Sequence, residues 1–286
     1  MALRHAGWMP QKLSQPSPIW VLSSPRLSPL PDFAAVLTST ARPARPPASP
    51  SDTAGRQARL DALRGTAMVW MTAYHFCFDL TQFGWLDANF YEDPRWVLQR
   101  LCIVSLFLAC AGMAQACGRP AWPRFWRRWA QVAGCALLVS IGSYWMFRRS
   151  YISFGVLHGV AMMLILLRLV GPRLPPLAAV LLGLACVLAP QVVQHPFFDT
   201  RWTDWIGLVT HKPITEDYVP VLPWFGLMLT GHAIARQWPR LLQGALPRGF
   251  APLALLGRWS LGYYMLHQPV MLGMLYLASL ALTIHP

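Results

Sequence analysis

Between Arg59 and Leu80 the chain reads RLDALRGTAMVWMTAYHFCFDL. About 20 mostly apolar residues without proline or strict alternation fit a helix long enough, at about 1.5 Å per residue, for a bilayer core. The pattern recurs to the end of the chain, an apolar run followed by a short polar break. Helices are predicted near 61–82, 96–117, 126–147, 152–170, 174–193, 219–237 and 253–283. Backbone groups in lipid must be satisfied within their own segment, so helices, not open strands, are the assignment for such runs. The fold class that follows is all-α, a polytopic membrane bundle of about seven transmembrane helices. The last run exceeds one span, and its first turns are expected in the interface.

Composition agrees with this reading. Of the 286 residues 55% are hydrophobic and 12% charged, whereas soluble domains carry about a quarter charged residues. The formal charge of +13, from 24 Lys+Arg against 11 Asp+Glu, is scattered between apolar runs and not gathered in one patch. It reads as a topology signal, and no nucleic-acid partner is expected. Arginines crowd the segment before the first run and the second, fourth and sixth breaks, for example Arg124, Arg127 and Arg128. The positive-inside rule then sets the N-terminus in the cytoplasm and, with seven spans, the C-terminus outside. The chain is expected in an inner membrane, with lipid as its surroundings.

Residues 1–55, with stretches such as RPARPPASPSD, are rich in Pro, Ser, Ala and Arg and lack periodicity, so a disordered tail is expected before a membrane domain over 56–286. The stretch SPIWVLSSPRLSPL is too broken to span, and no small-residue cleavage site follows it. The six cysteines lie in apolar runs without C-x-x-C spacing, which predicts reduced packing residues and no metal. Trp85, Trp96, Trp122, Trp126, Trp129, Trp202, Trp205 and Trp238 fall at predicted helix ends, where aromatic anchors are expected.

Ionisable side chains inside membrane helices are costly and are the first functional candidates. Arg64, His75 and Asp79 are spaced by eleven and four residues and share one face of the first helix. One turn separates His75 from Asp79, so the carboxylate could orient the imidazole as a general base. The same pairing could serve as an interhelical hydrogen bond, and the residues alone leave both readings open. His158 in SFGVLHG and Asp217 in DYVPVLPWFG are expected near the same outer depth as His75, with Trp224 in the second block. His267 lies nearer the midplane, with Pro269 two residues on to free a backbone carbonyl. Arg64 and Arg258 mark the inner end, and His232 reads as an interfacial residue.

Arg59-x-Asp61-x-x-Arg64-Gly65 with His75 in the same helix resembles the opening of membrane acyltransferases that modify envelope polysaccharides. With SFGVLHG, DYVPVLPWFG and LGRWSLGYYMLHQP, the chain from about 58 to 283 is similar to bacterial membrane proteins related to the heparan-α-glucosaminide N-acetyltransferase catalytic domain. The resemblance implies acetyl transfer from cytoplasmic acetyl-CoA to an amino sugar on the far side, with a histidine at the centre. The loop QFGWLDANFYEDP carries no histidine, unlike the lysosomal pattern, and this moves the candidate base to His75 or His158.

The leading expectation is therefore an acyltransferase with acetyl-CoA as donor and an envelope glycan or other small acceptor. His75, Asp79 and His158 are its catalytic candidates, Arg64 and Arg258 would hold CoA phosphate, and Asp217, Trp224 and His267 would line the acceptor site. Two rivals come from other classes. A haem protein would use paired histidines as axial ligands, and a transporter would use intramembrane charge as its path, although no paired repeat is visible. The predicted orientation has a direct check: a cysteine at Thr210 should react with an impermeant thiol reagent from outside intact cells, and labelling only after the inner face is opened would reverse the topology.

Overall fold

A computed structural model gives the protein's structure over residues 57–118, 120–146 and 148–284. The expected tail, 1–55, lies outside the described residues. Among those described, every long element is an α-helix and no strand occurs. The helices are α1 (Ala58–Gln82), α2 (Pro94–Cys117), α3 (Trp122–Met146), α4 (Val156–Val170), α5 (Pro176–Val192), α6 (Val221–Gln237), α7 (Ala251–Arg258) and α8 (Ser260–Ile284). Local chemistry explains several ends. Asp93 caps α2 by accepting from the Arg95 N–H, with Pro94 in the first turn, and Pro176 opens α5.

Three segments are long and apolar enough to cross a membrane: α2, α4 with its 3₁₀ extension to Arg173, and α8. Much of the apolar surface of the helices is not wrapped in protein. On α3, Trp145 is 79% exposed; on α5, Val192 is 81% exposed; Leu266, Met274 and Leu277 of α8 are also largely uncovered. Apolar faces of this extent, with arginines confined to helix ends, are the surface of a membrane protein.

The helix around which the others assemble is α6, buried along most of its length and packed chiefly on α2 and α5. Glycine makes both contacts possible. A Cβ at Gly112 would collide with the Met228 carbonyl, and one at Gly231 would collide with the Ala109 backbone, so α2 and α6 touch backbone to backbone. Gly183 and Gly226 do the same between α5 and α6. In lipid, where burial of apolar surface offers little drive, such close approach supplies the dispersion contact that holds helices together.

The single run expected over 253–283 is two helices. The chain leaves the α-helix at Trp259 (φ −98°, ψ 17°). A Cβ at Gly257 would strike the Asp61 carbonyl and one at Gly65 the Leu253 carbonyl, so α7 is clamped across α1 and α8 must depart in another direction. Two readings of single residues also change. His232, read as interfacial, is 4% exposed and packs beneath Gly171 inside the protein. Trp129 donates its indole N–H to the Ala161 carbonyl at 2.9 Å, tying α3 to α4, and Trp96 stacks on Phe90 inside a buried cluster.

Glycine positions in this bundle are thus unequal. Gly112→Val should destabilise the protein by at least about 1–3 kcal/mol, or prevent folding, because α2 and α6 must separate. Gly134→Ala in α3, whose Cβ meets nothing within 4 Å, should be neutral or stabilising by about 0.5–1 kcal/mol. Thermal unfolding and gel filtration of the two detergent-purified variants separate these outcomes.

Candidate functional site

At the arginine-rich end, the Arg59-x-Asp61-x-x-Arg64-Gly65 motif meets α7. Asp61 gathers the charge: Arg64 donates to its Oδ1 at 3.1 Å and Arg258 lies 3.9 Å from Oδ2. Arg59 reaches the carbonyls of Leu241 and Ala245 at 3.4 and 3.5 Å, and Gly65 provides the close approach of α7. The two arginines expected at an anionic ligand therefore stand around one carboxylate, leaving a net positive charge. Sequence reading assigned no role to Asp61, although it sits inside the motif.

At the other end, SFGVLHG and DYVPVLPWFG form one unit. The Glu216 N–H donates to the Ser150 carbonyl at 3.0 Å, and the Thr215 hydroxyl to the Tyr151 carbonyl at 3.1 Å. Asp217 accepts from the Val156 N–H at 2.6 Å and so caps α4. Burial pushes the Asp217 carboxyl up, opposed by that N–H and by the charges of Lys212 and Arg100. A Cβ at Gly155 would run into this carboxylate, which is the reason for glycine there.

His158 belongs to the same cap. Its Nδ1 accepts from the Gly155 N–H at 3.3 Å, so Nε2 carries the proton and faces Ser140 Oγ at 3.2 Å; Ser140 in turn donates to the Ile152 carbonyl at 2.6 Å. Both ring nitrogens are engaged in holding the start of α4. Trp224 is half-buried in the main apolar cluster beside α4 and α6, which also takes in Tyr264.

Between the two ends, α1 faces α8. His75 and Asp79 share a stripe as expected, but Asp79 does not orient His75. Gln268 Nε2 donates to Asp79 Oδ1 at 2.7 Å, while the imidazole of His75 meets that of His267 with ring centroids 5.3 Å apart at 62°. The reason is α8: its HQP step sets a histidine and a carboxamide against the α1 stripe, and each finds a partner there. The result is a closed circuit of four residues. His75 touches His267, Gln268 follows His267, Gln268 binds Asp79, and Asp79 lies one turn from His75.

Tertiary packing makes this circuit rigid. His267 Nδ1 donates to the Tyr264 carbonyl at 2.7 Å, which leaves Nε2 as the lone-pair nitrogen. Tyr263 stacks on the His267 ring at 5.9 Å, and its hydroxyl bonds Thr72 Oγ1 at 2.6 Å. A histidine with one nitrogen fixed and the other basic can take a proton, and its neighbour can share it. The imidazoles are in direct contact, which leaves no room for a porphyrin plane between them. Among the described residues, no three of His, Cys, Asp and Glu converge to hold a metal. Gln268, Thr72 and Tyr263 were missed in the sequence; the signal was present for Gln268, a carboxamide in an otherwise apolar run.

Comparison with known proteins bears on the same elements. No curated protein and no solved structure matches the chain. The family model described as heparan-alpha-glucosaminide N-acetyltransferase, catalytic, matches residues 56–269, from just before α1 through the His267–Pro269 step of α8. The chain therefore belongs to the family of the heparan-α-glucosaminide N-acetyltransferase catalytic domain, a family of membrane acetyltransferases.

Proposed function

We propose that the membrane domain over 56–286 crosses the inner membrane of a bacterium with α1–α6 and α8, seven spans, and transfers an acetyl group from cytoplasmic acetyl-CoA to an amino or hydroxyl group of an envelope sugar. The observation that carries the reading is the His75–His267 contact, a pair of imidazoles from two helices set in an apolar surrounding. Family membership supports acetyl-CoA as donor in general. The envelope acceptor, the inner membrane and the inward N-terminus rest on the resemblance and on the charge asymmetry of the loops.

In this reading, acetyl-CoA approaches from the basic end, where Arg64 and Arg258 hold its phosphates and Asp61 keeps both guanidinia in register. Eleven residues of α1 separate Arg64 from His75, about 16 Å along the axis, a distance for the pantetheine arm to bridge. The acceptor enters from the end walled by Asp217 and Trp224. As its nitrogen or oxygen bonds the thioester carbonyl carbon, its proton passes to an imidazole nitrogen of His75, with His267 sharing the charge. The C–S bond then breaks, and the CoA thiolate leaves and regains a proton. His158, whose N–H is already given to Ser140, serves the reaction by fixing the start of α4 and not as an oxyanion donor.

Mass spectrometry of envelope glycans from wild-type and deletion strains tests the reaction, with one acetyl group as the expected difference. At the inner end, Arg64→Gln and Arg258→Gln should each raise the KM for acetyl-CoA about tenfold with the fold intact. An unchanged KM in both would return these arginines to helix packing.

For the base, His75→Ala should lower turnover per folded molecule by about a hundredfold to ten-thousandfold. His158→Ala should instead cost about 1 kcal/mol of stability through the loss of a helix cap, with turnover per folded molecule retained. Normal turnover in His75→Ala would refute its assignment as the base.

A further inference from the structure

The circuit between α1 and α8 contains more polarity than a proton acceptor needs. Asp79 is 1% exposed and His267 is 8% exposed. The Asp79–Gln268 bond settles which end of the carboxamide points elsewhere: Nε2 is spent on Asp79 Oδ1, so Oε1 is left over. Three buried atoms then have no hydrogen-bond partner, namely Asp79 Oδ2, Gln268 Oε1 and His267 Nε2. All three accept and none donates. No Arg, Lys or His among the described residues forms an ion pair with Asp79.

As a device for joining two helices, this arrangement is poor. Within the circuit a single hydrogen bond, Asp79–Gln268, links α1 to α8, and three acceptors are stripped of solvent without return, a cost that apolar side chains at all of these positions together would remove. As a receptor for hydrogen-bond donors it is well formed, because every free atom is of the complementary kind and each is held. Gln268 is oriented by Asp79, and His267 by the Tyr264 carbonyl and the stacked Tyr263 ring.

We propose that Asp79, Gln268 and His267 form the seat of the acyl acceptor: the acceptor's nucleophilic group and a neighbouring N–H or O–H donate to them, with Asp79 and Gln268 acting together as one positioning unit beside the His75–His267 pair. The inference rests on the acyltransferase reading and adds to it the residues that grip the acceptor. It gives Asp79 a role other than orienting His75, and it makes the carboxylate–carboxamide contact itself, rather than either residue alone, the element required.

The test uses the full chain in detergent micelles, with glucosamine as acceptor probe and acetyl-CoA as donor. Asp79→Asn and Gln268→Leu should each raise the KM for glucosamine about tenfold to a hundredfold, the effect of losing a charge-assisted or buried hydrogen bond, and leave the KM for acetyl-CoA within about twofold. The exchange Asp79→Asn with Gln268→Glu, which restores one carboxamide–carboxylate bond in the opposite sense, should recover most of the loss. Equal rises in both KM values, losses that track the folded fraction, or no recovery in the exchange would reduce the pair to a structural contact and overturn the proposal.

Thermal unfolding with glucosamine alone separates this inference from the reading beneath it. Stabilisation of the wild type that vanishes in Asp79→Asn supports the seat even if no acetyl transfer is found, in which case the acyltransferase reading alone fails. A wild type that neither turns over nor is stabilised by glucosamine overturns the seat.

Discussion

Helices in a bilayer cannot rely on the hydrophobic effect to find one another, so this bundle depends on places where two backbones touch. Gly112 and Gly231 bring α2 onto α6, and Gly183 and Gly226 bring α5 onto its other flank. The buried length of α6 follows from these two contacts, as does the wide exposed apolar surface of α3, α5 and α8. Where the contact is this close, only a residue without a side chain will serve, and packing elsewhere adjusts to it.

The same device, applied between α1 and α7, produces charge convergence. Gly65 and Gly257 allow the two helices to cross at Asp61, and the crossing carries Arg258 to a carboxylate that Arg64 already holds. One crossing thus sets the geometry of the basic end and also turns the chain so that α8 runs along α1. At the opposite end the work is done by hydrogen bonds. Asp217, Gly155 and His158 lock the loop before α4 to the loop before α6, which keeps a polar wall at the mouth of an apolar bundle.

Between these ends, polar atoms are kept in an environment where each one is a liability unless it is used. His75, Asp79, His267 and Gln268 are held by their neighbours, and three of their acceptor atoms stay buried without a hydrogen-bond partner. Acyl transfer is favoured at such a location, dry enough to strengthen a hydrogen bond to the reacting group and rigid enough to present it.

The sequence by itself determined the helical class, the approximate limits of the apolar segments and the family, because these follow from local composition and from the spacing of a few blocks. It also put Arg64, His75 and Asp79 on one face, since 3.6-residue periodicity is a property of one helix. Partners are a different matter. Whether Asp79 bonds His75 or Gln268 is decided by how α8 lies against α1, and that depends on contacts more than 180 residues apart. The break at Trp259 was hidden for the same reason: residues 253–283 are mostly apolar with no proline or acidic residue near Trp259, and the clamp of Gly257 on Asp61 shows where one helix must end and another begin. His158 looked like His75 in sequence, a histidine in an apolar run, yet its place at a helix start brings its Nδ1 to the Gly155 N–H, because the first N–H groups of a helix have no partner within the helix.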